Sequence, residues 1–302
     1  MPSRRSILAL AAGTAALRIF PAHAQERFSP FVGSNLDNVR RMVELAAPQE
    51  GETVIDLGSG DGRIVFAALR DRPGVRGIGV DIDAALVEKA NAAARAQGLA
   101  DRARFLHQNV FDADLSKVDV IFMWLFPELM RLLRPKLLAE AKPGARVVAA
   151  TWDLGTWVPD AADDPGGGNS VIRRWIVPAR IDGAWEWDLR LRDRSLRFSA
   201  QFEQRMQQVE GVVRVGNRRE LLHHVILRGD ALQFSLRMTL PGAGYASLAF
   251  SGRVRGDRIE GACTAQLARP GEDDAMDEYR MDWRARRTAA AGYFAPTGTR
   301  LD

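Results

Sequence analysis

Within Val54-Ile-Asp-Leu-Gly-Ser-Gly-Asp-Gly-Arg63, one carboxylate is followed by three glycines at alternate positions. An apolar strand ends in Asp56, and the chain then bends through Gly58, Gly60 and Gly62 into a predicted helix. Glycine takes positive φ readily and lets a ligand lie against bare backbone, so this spacing predicts a small molecule held on a strand-to-helix turn. Asp56 sets the charge of that ligand. A pyrophosphate would be repelled by it, whereas an ammonium, such as the amino group of S-adenosylmethionine (SAM), would be attracted. The run Val75-Arg-Gly-Ile-Gly-Val80 reads as the next strand and ends at Asp81, where a carboxylate can accept both ribose hydroxyls of a nucleoside. A dinucleotide fingerprint needs its third glycine one residue later.

The pattern Asp56-x-Gly58-x-Gly60-x-Gly62 resembles motif I of the seven-strand (class I) methyltransferases, which bind SAM. With Phe31-Val32 upstream and Asp112-Ala-Asp-Leu-Ser116 downstream, residues 28–160 are similar to bacterial relatives of the protein-lysine methyltransferases of mitochondrial carriers. The resemblance implies that backbone around Gly58, Ser59, Gly60, Asp61 and Gly62 holds the methionine end of SAM. It implies that Asp56 pairs with the amino group, that Asp81 takes the ribose, and that Ile82 and Val110 pack near the adenine. Asn109 stands where the family often has an acid for the adenine amino group; its side-chain oxygen can still accept that bond. Ser29–Asn35 resembles a segment that folds over the cofactor and places Phe31 there, with Gly33 and Asn35 in place of typical prolines, which predicts a more mobile lid.

Methyl transfer is an in-line displacement at a sulfonium, so alignment and exclusion of water matter more than a base. The fourth strand ends in Met-Trp-Leu-Phe-Pro127, which places Trp124 at the cofactor and an apolar rim beside the acceptor. It lacks the Asn-Pro-Pro-Tyr type motif of amide and base methylation. An apolar lining suits a lysine amine, which must shed its proton and water before attacking. It lacks the acids expected of a polyamine site. Asp153 is the acidic candidate for steering a cationic acceptor, with loop capping as its structural alternative. His223-His224 lies in a strand, where alternation predicts one ring inward and one outward and argues against a two-ligand metal site.

These residues need strands alternating with helices. Apolar spacing predicts a helix over Leu36–Ala47, strands over Thr53–Leu57 and Val75–Val80, and helices over Ile64–Arg70 and Ala84–Gln97. Further strands are expected at Arg104–His107, Asp119–Phe126 and Ala145–Trp152, with a proline-interrupted helix over Pro127–Ala141. Pro159–Asn169 reads as a flexible loop, and Val171–Val177 as an antiparallel strand completing the sheet. The fold class is therefore α/β, a Rossmann-like doubly wound sheet, over residues 25–180. Residues 181–302 show period-two segments separated by turns such as Arg228-Gly-Asp230 and Arg255-Gly-Asp257, which predict an antiparallel β domain, a barrel or sandwich.

The chain has 302 residues, 46% hydrophobic and 26% charged, enough for two modest domains. Its net charge is +4, and Arg4, Arg5 and Arg18 lie in the first two dozen residues. The other arginines alternate with acids, which predicts solvated strand faces and no nucleic-acid partner. Ser3-Arg-Arg-Ser-Ile-Leu8, an apolar Ile7–Leu17 and Pro21-Ala-His-Ala24 read as a twin-arginine signal peptide over residues 1–24. That predicts periplasmic or exported localisation, in tension with the cytoplasmic supply of SAM; a non-functional signal would leave the protein cytoplasmic. The apolar stretch is too short for a transmembrane span. A lone Cys263 permits no internal disulfide, and no zinc spacing is present. The expected function is SAM-dependent methylation of a protein lysine or other small amine. The alternative is an exported, non-catalytic binding protein whose Rossmann-like half is a scaffold.

Overall fold

The computed structural model describes residues 35–166, 170–269 and 275–290. The expected signal peptide and Phe31 lie outside these residues. Two sheets account for the strands. In the first, α1 (Leu36–Ala46), β1 (Thr53–Leu57), α2 (Arg63–Leu69), β2 (Arg76–Asp81), α3 (Ala84–Ala96) and β3 (Ala103–His107) follow one another. β4 (Val120–Met123), α4 (Pro127–Glu140), β5 (Arg146–Ala150), β6 (Ala161–Asp163) and β7 (Ile172–Ile176) complete it. The strand order is β3-β2-β1-β4-β5-β7-β6, with β1–β5 parallel and β7 antiparallel to both β5 and β6.

Alternation divides this sheet into two cores. Val54, Val120, Phe122 and Val148 face α1, α2 and α3 through Met42, Val43, Val65, Ala68 and Ala90. Ile55, Leu57, Ile121, Met123 and Val147 face α4 through Met130, Leu133 and Leu137, with Trp157 and Trp175 closing that side. Both faces are covered, so the central strands read as unbroken apolar runs. α1 starts at Asn35, whose side-chain oxygen accepts from Asp37 N at 2.8 Å.

Three elements depart from what the sequence predicts. α4 runs through Pro135 without interruption, because Leu133 and Leu137 bury its other face while Pro135 is exposed. The stretch expected to be a flexible loop contains the edge strand β6. The buried Arg41 of α1 anchors it, donating to Asp163 Oδ2 at 2.7 Å, Asp163 O at 2.9 Å and Ser170 O at 3.0 Å. Composition alone cannot register a partner 122 residues away. β5 ends at Ala150 and not at Trp152, because Thr151 turns the chain at φ 71°.

The second sheet holds β8 (Gly183–Leu191), β9 (Arg194–Arg205), β10 (Gln208–Val215), β11 (Arg218–Leu221), β12 (His223–Arg228), β13 (Ala231–Leu240), β14 (Gly244–Arg255), β15 (Arg258–Ala268) and β16 (Met276–Ala290). It is antiparallel throughout, in the order β11-β10-β9-β8-β16-β15-β14-β13-β12. Its inner face buries Trp187, Phe198, Phe202, Phe234, Phe250 and Trp283 in one aromatic cluster. Each such side chain is worth about 1.5–3 kcal/mol on burial. The sheet curls until its edges, β11 and β12, are neighbours in the chain with only Leu222 between them. The result is a nearly closed barrel with a solid interior.

The histidine expectation fails in the barrel. A bulge between His223 and Ile226, with His224 at φ 51°, breaks the alternation, and both rings are exposed. The two sheets meet at Pro178–Asp182. Gln204 accepts from Ile181 N at 2.7 Å and donates to Ala179 O at 2.9 Å, while Ala179 N donates to Gly229 O at 2.8 Å. Arg287 also donates to the carbonyls of Asp182 and Arg180 and stacks its guanidinium 4.6 Å from the Trp185 ring.

Candidate active site

The sequence-predicted residues converge on the carboxyl ends of the parallel strands. The strand order reverses between β1 and β4, the switch point where open α/β sheets bind ligands. The loop after β1 crosses the end of β2. Gly58 N and Ser59 N both donate to Val80 O, at 2.8 and 3.0 Å, and Gly62 N donates to Ser59 O at 2.9 Å. Gly58, Gly60 and Gly62 take φ 84°, 52° and 83°, the left-handed region that a side chain disfavours. Gly79 on β2 serves a different need. A Cβ there would lie 2.2 Å from Phe105 Cδ1 and 2.6 Å from Ser59 Oγ, so the loop can sit down only on bare backbone.

The carboxylates divide the work. Asp81 Oδ2 accepts from Gly60 N at 2.7 Å and Oδ1 from Asp83 N at 2.9 Å, which fixes the group at the rim with lone pairs left for hydroxyls. Asp61 is gripped by Arg63, Nε to Oδ1 at 2.8 Å and Nη2 to Oδ2 at 2.6 Å. That two-pronged bond holds Asp61 below the ordinary carboxylate range and locks the loop at the start of α2.

Asp56 is different. It is 1% exposed, and its Oδ1 has no hydrogen-bond partner among the described residues. Burial, reinforced by the negative Asp81 and Asp61, pushes its pKa up to about 8. The buried Ser59 Oγ beside this loop is also without a partner among the described residues. An uncompensated buried acid and hydroxyl are costly, so their presence together fits a ligand that brings a cation and a polar group. A bound ammonium would stabilise the carboxylate and offset its burial.

The adenine side is looser. Ile82 is half-buried, and its carbonyl lies 3.0 Å from His107 Nε2. Asn109 is exposed and caps a short 3-10 turn, Val110–Asp112, by accepting from Phe111 N at 3.0 Å. A second lone pair on the same oxygen remains for an adenine amino group. Val110 packs on the α4-side core, whereas Trp124 packs on the α1–α3 side, the side that Asp56 faces. Asp153 is exposed and accepts from Gly155 N at 2.9 Å, a loop-capping bond.

With the geometry in view, comparison with known proteins is direct. Residues 56–161 match the ANTKMT methyltransferase domain. A protein-lysine N-methyltransferase of Saccharolobus islandicus is 36% identical over 130 residues, covering 43% of this chain and 81% of that protein. The chain belongs to the class I SAM-dependent methyltransferases related to the mitochondrial-carrier lysine methyltransferases. The adenine nucleotide translocase lysine N-methyltransferase of Mus musculus is 33% identical over 161 residues, 53% of this chain but only 63% of the mouse protein. Among solved structures, an RNA methyltransferase from Salinibacter ruber, crystallised with S-adenosyl-L-homocysteine, shares 41% identity over 50% of this chain and 96% of that one, with a TM-score of 0.47.

The ANTKMT-type half is thus a SAM-dependent methyltransferase, and the family-domain match ends at Ala161, short of the barrel. One feature of this half left no mark in the sequence. At the end of β5, Trp152 N donates to Ala150 O at 2.8 Å around Thr151 at φ 71°, a strained γ-turn on a β-branched residue. A threonine there argues for continued strand, and only coordinates reveal the turn.

Proposed function

We propose that this protein methylates the side-chain amine of a lysine in a protein substrate, with SAM as donor. The observation that carries the reading is the buried, unpartnered Asp56 carboxylate beside an apolar, acid-free rim at Trp124–Pro127. SAM, when bound, supplies an electrophilic methyl on a sulfonium. The chain's own task is to hold and aim. Asp56 takes the ammonium, Ser59 and the glycine loop line the methionine end, and Asp81 receives the ribose. Trp124, Leu125 and Phe126 exclude water from the acceptor, which favours the neutral amine that attacks. The relatives named as lysine N-methyltransferases support the same acceptor.

The barrel, on this reading, recruits or shields the substrate, and the Ser3–Ala24 pattern marks the protein for export. No helix among the described residues is long and apolar enough to cross a membrane. Transfer of labelled methyl from SAM to extract fractions tests the acceptor: label is expected in protein, at lysine, and lost in Asp56→Ala and Asp81→Ala. Label in RNA instead, or undiminished label in both variants, would overturn the assignment.

A further inference from the structure

Three exposed aromatic side chains of the first sheet follow the carboxyl ends of successive parallel strands. Phe111 (38% exposed) comes after β3, Phe126 (40%) after β4 and Trp152 (43%) after β5. The β4–β5 register pairs Met123 with Ala149, so Phe126 and Trp152 each follow three residues later, in the loops that leave two neighbouring strands. Large apolar groups in water at the ligand-binding edge of a sheet mark a contact surface.

Trp152 is also held there at a cost. The γ-turn at Thr151 is fixed from three directions by β7 and the segment leading into it. Thr151 N donates to Val171 O at 2.9 Å, its hydroxyl to Ser170 Oγ at 3.0 Å, and Arg173 Nη1 donates to Thr151 O at 3.1 Å. Every polar group of the strained residue is occupied, so the surroundings over-determine a conformation that threonine disfavours. The product of that strain is the direction in which Trp152 leaves the sheet.

We propose that Trp152, together with Phe126, is the acceptor-binding wall of the active site, and that Thr151 is its positioning residue. This rests on the lysine reading above but goes beyond it. The indole offers a face for a lysine ammonium arriving from water and for its methylated product, by cation–π attraction. Phe126 covers the aliphatic stem.

The chain's seven tryptophans give seven indole N–H resonances, and the one absent in Trp152→Phe identifies Trp152. With the full-length protein saturated in S-adenosyl-L-homocysteine, n-butylammonium and its N-trimethyl counterpart serve as lysine-stem probes. Both are expected to shift the Trp152 resonance, the trimethyl form at lower concentration; an unmoved Trp152 resonance would overturn the wall. In turnover of a synthetic peptide with one lysine among apolar residues, Trp152→Ala is expected to raise peptide KM about tenfold. SAM affinity should stay within about twofold, and Trp152→Phe should restore most of the loss. A parallel fall in SAM affinity would overturn the role. Thr151→Gly relieves the backbone strain, so its Tm should hold while KM rises; an unchanged KM would remove Thr151 from the account. Probe shifts without any peptide methylation would keep the wall and discard the lysine-in-protein reading.

Discussion

The two sheets of this protein handle their internal polar groups in opposite ways. The barrel fills its interior with rings, and its two orphan indole donors, on Trp187 and Trp283, lie among aromatic faces crossing at 66–81°. Those faces are weak acceptors in their own right. The Rossmann-like sheet has one such indole, on Trp157, and in addition leaves a carboxylate and a hydroxyl without partners at the carboxyl end of β1. It also holds a strained threonine at the end of β5. At the ligand-binding edge of an α/β sheet, an uncompensated buried carboxylate is the kind of broken local rule expected of a functional site. The barrel's interior is closed on itself, whereas the edge of the first sheet is open to a ligand.

That contrast can be broken by mutation. The largest effect is expected from Trp187→Ala in the barrel, about 3–5 kcal/mol of stability in denaturant titration. If the two regions are as distinct as their cores suggest, SAM affinity measured by calorimetry should barely change. The reverse pattern is expected of Asp56→Asn. SAM affinity should fall by about 2–4 kcal/mol, because the cofactor ammonium loses its buried partner. Stability of the ligand-free protein should rise.

The sign of that rise follows from linkage. Asp56 keeps its proton in the native state up to about pH 8, far above its ordinary value of 3.8. Native protein therefore binds more protons than unfolded chain between those values, and its stability falls as pH rises through that window. Asparagine removes the slope, so the Tm advantage of the variant should be absent near pH 4 and grow towards pH 8. The same proton gives a binding signature: SAM uptake near pH 7 should release protons in wild type, read from buffers of different ionisation enthalpy. Asp56→Asn should release fewer.

Much of this contrast was legible in residues. Asp56, the three alternate glycines and Asp81 spell out the cradle because each answers a local requirement of charge or φ. The barrel strands show in period two because one face of each is buried. What stayed hidden depends on distant partners. β6 exists because Arg41 reaches it, the two histidines are exposed because a bulge shifts the register, and Thr151 turns because β7 grips it. Asn35 looked like a lost proline in a lid, yet it caps α1.

Smaller tests sharpen the picture. Gly79→Ala forces a methyl against Phe105 and Ser59, and a loss of about 1–3 kcal/mol with weakened SAM binding is expected. Asn35→Ala should cost about 1 kcal/mol through the lost cap, with catalysis unchanged. Cys263 should show the least response. Burial in the barrel pushes its thiol up to about 12, so thiol reagents should label it only as fast as the barrel opens.

The strand order of the barrel carries a consequence for how the chain comes together. Seven of its eight pairings join strands adjacent in sequence, each a hairpin that can zip as soon as it is made. The eighth joins β8 to β16, where Glu186 meets Arg286 a hundred residues later. Closing that long loop is the slow, entropically expensive step. During synthesis the methyltransferase sheet has all its strands by Ile176 and can settle first. The barrel must wait for β16, its two meanders held as open ribbons until that strand arrives to seam them.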